Sequence, residues 1–107
     1  MVAAAATALV VLHGLVTIGP TTPVCKVGTP CTKPAAHVLL QFARVHPTAT
    51  SSGAEAWTDA RGHYRVKLAP GEWIVVANRG LAIRPVRFIV RAVPSMTRNF
   101  ALDSGIR

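Results

Sequence analysis

The stretch "TDARGHYRVKLAPGEW", which runs from residue 58 to residue 73, constrains the fold more than any other part of the sequence. Its middle, "HYRVKL", alternates between polar and apolar residues. A repeat of two residues matches the side-chain alternation of a strand and conflicts with the 3.6-residue repeat of a helix. We therefore expect a half-buried β-strand that presents Arg65 and Lys67 to solvent. Its inward face is expected to consist of Tyr64, Val66 and Leu68.

A tight turn is expected on each side of this strand. Before it, Asp59 can accept backbone N–H bonds within its own turn, and Gly62 can adopt the positive φ that closes the turn. After it, Pro70 and Gly71 suit the two central positions of a type II turn. The strand should therefore join its neighbours through a hairpin or a tight corner.

Short strands are also expected along the rest of the chain. "AAHVLLQFARV" and "VRFIVRAV" alternate, "AEAWT" is a shorter strand, and "MTRNFAL" is a last strand whose alternation breaks at Arg98. "EWIVVAN" is apolar throughout, which is typical of a central strand covered on both faces. The inward residues of the two alternating segments are expected to be Val38, Leu40, Phe42, Val86, Phe88 and Val90. With a first strand around Leu15 to Ile18, about seven strands result, which predicts an all-β, seven-stranded β-sandwich.

The composition agrees with one folded domain of modest size. Half of the 107 residues are hydrophobic and 15% are charged, which favours a packed core over disorder. Twelve Lys and Arg against four Asp and Glu give a formal charge of +8, which favours association with polyanions. Nine of the twelve cations are Arg. This bias suits carboxylate and phosphate contacts, and an Arg-rich codon usage would also produce it.

The N-terminal residues are apolar and rich in small side chains. This run is shorter than the roughly 20 residues that span a bilayer, and no later segment is long enough. Ala6-Thr7-Ala8 matches a signal-peptide cleavage site, although the usual positive region before it is missing. A truncated signal remnant, an atypical signal and an Ala-rich lead into a first strand are all compatible with this pattern. We favour a remnant at 1–12 followed by a single β-sandwich domain at 13–107, and we expect no transmembrane span.

Two cysteines, Cys25 and Cys31, lie in a proline-rich segment. They lack C-x-x-C spacing and a neighbouring His, so zinc binding is not expected. A disulfide between them would close a small loop and stabilise the fold by about 2 kcal/mol. Such a bond would agree with an oxidising compartment. Two unpaired thiols in a cytosolic loop are the alternative.

The stretch "TDARGHYRVKLAPGEWIV" resembles the T-D-x-x-G-x-[FY]-x-[FVL]-x-L-x-P-G-x-[YW] signature of carboxypeptidase regulatory-like domains. These belong to the transthyretin-like or prealbumin-like sandwiches and are related to Cna B-type repeats. "GLVTIGPTTPV", "GTPCTKP" and "DSGIR" resemble small secreted bacterial members of that group, which have no known function. One departure concerns the cysteines, since these relatives tend to have a cysteine where Thr22 stands. The resemblance implies a Greek-key sandwich, prealbumin-like or immunoglobulin-like, with a carbohydrate-binding-like fold.

Catalytic and metal-binding patterns are weak. A Ser-His-Asp triad lacks its nucleophile elbow, and only four acidic residues are available for paired-carboxylate chemistry. Hydroxyisourate hydrolase, an enzyme with this kind of sandwich, relies on a His and Arg constellation and a Tyr-Arg-Gly-Ser-like C-terminus, whereas this chain ends in "LDSGIR". Asp59 with His63, and His37 with His46, offer few ligands for a hard cation. We therefore expect no catalytic residue, no metal ligand and no cofactor.

The sequence thus favours an exported, non-catalytic module, secreted or at the cell envelope, that binds a polysaccharide, an anionic polymer or another protein. Nucleic acid is not expected, because the aromatic residues near the cations have the parity of core residues. Carbohydrate is the first ligand to consider, since an exposed tryptophan could stack on a sugar. The candidate ligand-binding residues are Trp57, Trp73 and four cations that could share the outer faces of neighbouring strands, Arg65, Lys67, Arg87 and Arg91.

An enzyme is the alternative interpretation. A small hydrolase or metal-dependent enzyme on a transthyretin-like scaffold would require a concave pocket. The residues expected to converge in it are His37, His63, Asp59 and Arg61.

Overall fold

The computed structural model describes residues 9–21, 24, 28, 31–46 and 53–105, without the side chain of Arg79. In this part of the chain the fold is all-β, as the alternation predicts, and one 3-10 turn at Asn78–Gly80 is the sole helical element. The strands are β1 (Val10–Gly19), β2 (Lys33–Pro34), β3 (Leu39–Arg44), β4 (Ala54–Trp57), β5 (His63–Leu68), β6 (Gly71–Ala77), β7 (Ile83–Arg84), β8 (Arg87–Val90), β9 (Ser95–Thr97) and β10 (Phe100–Asp103). No helix in the described residues is long and apolar enough to cross a membrane.

The first sheet is mixed and is built around β1. The first half of β1 pairs antiparallel with β5 and parallel with β9. Its second half pairs parallel with β10 and antiparallel with β2, and β7 extends the sheet beyond β10. With ten residues, β1 is long enough to pair with all these strands. Its alternate residues Val10, Leu12 and Val16 are buried on one face.

The second sheet is antiparallel and has the strand order β4-β3-β6-β8. Each strand buries alternate apolar side chains against the first sheet, as the period-two pattern requires. The residues buried on this inner face are Leu40, Phe42, Ala56, Trp73, Val75, Ala77, Phe88 and Val90. The expected inward positions in β3 and β8 are therefore confirmed, apart from Val86.

Four aromatic rings join the two sheets into a sandwich-like core. Tyr64 and Phe100 come from the first sheet, and Phe42 and Phe88 come from the second. The contacting ring centroids are 5.5 to 6.3 Å apart, in tilted and edge-on arrangements that aromatic pairs prefer. Each such pair adds about 0.5–1.5 kcal/mol beyond the burial of its area.

Both turns around β5 carry the chain from one sheet to the other. In the first, the Asp59 Oδ1 atom accepts hydrogen bonds from the backbone N–H groups of Arg61 and His63, and Gly62 has φ of 82°, as expected. In the second, Gly71 has φ of 143° and already begins β6. Since β5 and β6 lie in different sheets, this connection is a corner and not a hairpin.

Two expectations about the strands are wrong. β6 is central in its sheet, but only one of its faces is covered, and Val76 is 50% exposed on the other. Val86 precedes β8 and is also half exposed, so it does not join the core. The domain boundary expected after residue 12 falls inside β1, because the strand begins at Val10 and buries it. The break expected at Arg98 is confirmed, since it separates β9 from β10.

Candidate binding groove

An open groove lies on the outer face of the first sheet, beside the edge formed by β4. Its volume is about 710 Å³. Strand β1 supplies Val11 and His13, β5 supplies His63 and Arg65, and Asp59 comes from the turn before β5. The wall opposite is formed by Trp57 of β4. Residues from separate parts of the sequence therefore meet here because β1 and β5 are adjacent.

Strand register places polar side chains on this face. His13 is the Cα partner of Arg65, and Leu15 is the partner of His63. Directly opposite residues of an antiparallel pair project to the same face, with Cβ atoms about 5 Å apart. The intervening partners Leu12 and Val66 are buried, so His13 and Arg65 face solvent side by side.

Trp57 is the aromatic residue that this groove exposes. All six aromatic residues lie in the described part of the chain. Five of them are at most 4% exposed, whereas Trp57 is 61% exposed. A tryptophan ring is a large apolar surface with an electron-rich face, and here it stands beside polar and charged groups. Aromatic walls with a few placed polar groups are typical of ligand sites.

The residue after Trp57 anchors the end of β4. Thr58 is 2% exposed, and its backbone N–H donates to the Val38 carbonyl at 2.9 Å. Its hydroxyl donates to the Ala35 carbonyl and accepts the Val38 N–H at 2.8 Å. Because both functions of the hydroxyl are used, the backbone that carries Trp57 is tied to the segment before β3.

Asp59 has a structural role in the groove. Two backbone N–H groups, from His63 and Arg61, donate to its carboxylate and lower its pKa below the ordinary value. The carboxylate is therefore ionised at neutral pH and engaged within its own turn. It cannot act as a general acid there, since that role needs a proton to give.

The other acidic residues lie away from the groove. Glu55 accepts a hydrogen bond from Gln41 at 2.9 Å, and Glu72 pairs with Arg87 at 3.2 Å, both on the second sheet. Asp103 accepts the Gly105 N–H at 2.8 Å beyond the end of β10. As a result, Arg65 and Lys67 make no ion pair with any described residue.

The six candidate ligand-binding residues of the sequence do not form one site. Trp73 is 3% exposed, its indole Nε1 donates to the Ala69 carbonyl, and the Arg44 guanidinium lies 5.1 Å from its ring centroid. Such a ring packs the core and presents no face to a ligand. Arg65 and Lys67 belong to the first sheet, whereas Arg87 in β8 belongs to the second. The expected shared face of the four cations is therefore wrong.

Arg91 follows β8 directly and is exposed. It does not line the groove. It thus lies in the connection that follows a strand of the second sheet, whereas Arg65 and Lys67 lie on a strand of the first.

The pocket expected of an enzyme forms only in part. His63 and Asp59 line the groove, but His37 and Arg61 do not. Among the described residues, no three His, Cys, Asp or Glu side chains are grouped closely enough to hold a metal ion. Tyr64 donates its hydroxyl to the Arg98 carbonyl, and its burial raises the pKa of the phenol far above the ordinary value. It is therefore unsuited to proton transfer near neutral pH.

Sequence reasoning missed His13. The residue lies at an outward position of "VLHGLV", where the period-two pattern is visible. The position of His13 in the groove depends on its pairing with Arg65, which is more than fifty positions away in the chain. The residues around His13 in the sequence do not indicate this pairing. The expected disulfide remains a prediction, since Cys25 lies outside the described residues.

No family model matches the chain, and no curated protein has significant similarity to it.

Proposed function

We propose that the chain is a non-catalytic β-sandwich module that binds a saccharide polymer in the groove between Trp57 and the outer face of β5. The observation that carries this proposal is the exposure of Trp57 in a chain whose other aromatic residues are all buried. Sugar C–H groups pack well on the electron-rich face of an indole. Polar groups of His13, His63 and Arg65 around the ring can bond to sugar hydroxyls.

The proposed class is a carboxypeptidase regulatory-like domain with a seven-stranded, prealbumin-like Greek key. Counting β9 and β10 as one interrupted strand, and leaving out the two-residue β2 and β7, gives seven strands in two sheets. The chain crosses between the sheets at β4–β5 and at β5–β6, as Greek-key sandwiches do. The signature residues Asp59 and Gly62 shape the first of these crossings, which supports the resemblance.

The hydrogen bonds of Asp59, the acidic residue that lines the groove, favour a binding role over hydrolysis. A hydrolase that relied on this acid would need its carboxylate free to exchange a proton with substrate. The Asp59 carboxylate is already bonded to two backbone N–H groups. Among the described residues, no nucleophile–His–acid hydrogen-bond relay lies along the groove.

Export to the cell envelope or beyond is the proposed location. Cleavage after Ala8 would leave β1 intact, because that strand begins at Val10. We expect the mass of the exported protein to correspond to a chain that starts at Leu9. An exported or cytosolic protein that retains Met1 to Ala8 would contradict the proposed processing.

A Trp57→Ala variant tests the groove. We expect the unchanged protein to bind at least one polysaccharide from a panel of neutral and acidic polymers in affinity electrophoresis, and the variant to lose most of that retardation. Ile89→Ala is the matched control, since Ile89 is 60% exposed on the second sheet. Equal loss in both variants would argue against the groove, and no retardation of the unchanged protein by any polymer would refute saccharide binding.

A further inference from the structure

We infer that the groove selects an anionic saccharide, a sugar chain bearing carboxylate, phosphate or sulfate groups, which lies along β5 with its charged groups against Arg65 and His13 and its hydroxyls toward β9. This inference rests on the proposed saccharide binding and adds the charge of the ligand. Three observations carry it: the separation of charge between the two outer faces, the spacing of the cations, and the hydroxyl groups beside them.

The two outer faces of the molecule differ in charge. Glu55 and Glu72 both lie on the outer face of the second sheet, and the latter neutralises Arg87. The outer face of β5 carries Arg65 and Lys67 without an ion-pair partner in the described residues, since the one carboxylate that lines the groove, Asp59, is bonded to the backbone N–H groups of its own turn. Positive charge that the protein leaves uncompensated on one face raises the local concentration of anions there.

Two cations and a histidine are spaced along a line. His63, Arg65 and Lys67 occupy alternate positions of β5, all exposed, so their Cα atoms are about 7 Å apart in succession. His13 lies beside Arg65 on the neighbouring strand, since the two residues are cross-strand partners. Arginine contacts a carboxylate or phosphate through two parallel N–H groups, which fixes the orientation of the anion. A polymer with regularly spaced anions fits such a line better than a single small anion does.

Neutral hydroxyl groups continue the same face on the other side of β1. Thr97 of β9 is the partner of His13, and Ser95 is the partner of Val11. Both are exposed, whereas Met96 between them is buried. One row across the sheet thus reads Arg65, His13, Thr97, a cation at one end and a hydroxyl at the other. This order suits a ligand with an acidic group and hydroxyls on the same unit.

The same face is a poor platform for nucleic acid. Proteins that hold single strands stack successive bases on several exposed aromatic rings. Trp57 is the single exposed aromatic residue, all six being in the described part of the chain. A sugar chain can instead be held by one ring that stacks on one unit, with hydrogen bonds to the other units.

Two sugar chains that differ only in charge test the inference. The probes are an oligogalacturonate and its full methyl ester, in which the same backbone carries no anion, titrated against the unchanged protein by calorimetry. We expect the ester to bind about tenfold more weakly or worse, and the affinity for the acid to fall as salt rises. A phosphorylated oligosaccharide in parallel distinguishes phosphate from carboxylate as the preferred anion, and tight binding of either sugar chain supports the inference.

Variants assign the charge effect to this face. Arg65→Gln and His13→Gln should each weaken binding of the preferred anionic probe severalfold or more, Arg65→Gln by about tenfold. Arg91→Gln, which removes one exposed cation outside the groove, should leave the affinity within about twofold.

Each remaining outcome decides between the two proposals. Equal binding of acid and ester, both lost in Trp57→Ala, would overturn the anionic inference and keep saccharide binding. Binding of no sugar would overturn both. Tighter binding of a single-stranded oligonucleotide than of every sugar would also overturn the inference, and equal effects of Arg65→Gln and Arg91→Gln would show that only net charge matters.

Discussion

Replacing Thr58 by valine should test the link that holds the end of β4 in place. Valine has nearly the same shape as threonine but carries a methyl group where the hydroxyl stands. The side chain is 2% exposed, so water cannot readily take over its contacts. The substitution leaves the Ala35 carbonyl and the Val38 N–H without their partner.

The magnitude follows from these two bonds. A buried polar group deprived of its partner costs about 1–3 kcal/mol, and the added methyl group recovers part of the loss for two such groups. We therefore expect Thr58→Val to destabilise the protein by about 2–4 kcal/mol. For a domain of this size each kcal/mol lowers Tm by about 4–8 °C, so Tm should fall by at least about 8 °C.

Thr58→Ser is the matched control, because it keeps the hydroxyl and removes only the methyl group. Its cost should be about 1 kcal/mol. The assay is urea unfolding followed by circular dichroism, with unchanged m-values as the check that both variants unfold in the same way. A valine variant as stable as the unchanged protein, or a serine variant less stable than the valine variant, would refute the reasoning.

Three further predictions concern the turns and the core. Burial raises the pKa of the Tyr64 phenol, so near the ordinary pKa of 10.0 only the unfolded chain ionises, and the stability of the fold falls as pH rises above that value. The absorbance of this single tyrosine should therefore change together with unfolding. Phenolate formation in folded protein near pH 10 would contradict this. The lowered pKa of Asp59 adds stability that is present above the unfolded pKa of 3.8 and is lost as pH falls below that value. The Tm deficit of Asp59→Asn should therefore shrink on acidification. A deficit that does not depend on pH would count against this prediction. Gly62→Ala should cost about 1–3 kcal/mol in chemical unfolding, because φ is 82° and the new Cβ would lie 2.5 Å from the Val16 carbonyl oxygen; a neutral effect would show that the turn can relax.

Strands were predictable where local alternation and burial agree. "HYRVKL" is β5 with the expected inward face, because one face of that strand packs on the core and the other meets water. The failure at β6 has the same origin. An apolar run gives no sign of which face is covered, and Val76 stays exposed although its neighbour Val75 is fully buried.

The groove was less predictable because it depends on long-range pairing. Trp57 and Trp73 are alike in the sequence, yet the one lies at an edge strand and the other beneath the Arg44 guanidinium. His13 and Arg65 become neighbours only through the pairing of β1 with β5. Turn residues, in contrast, act on their own neighbours, so the role of Asp59 could be derived from the sequence.

The exposed tryptophan, and with it the proposed binding function, can be tested most directly by NMR of ¹⁵N-labelled protein during titration with oligogalacturonate. The chain has two indole N–H signals, one from the exposed Trp57 and one from Trp73, whose N–H is bonded to the Ala69 carbonyl. Binding in the groove predicts a shift of the Trp57 indole signal and of the His13 and Arg65 amides, while the Trp73 indole signal stays in place. Shifts that leave the Trp57, His13 and Arg65 signals in place, or no shifts at saturating sugar, would contradict the proposed function.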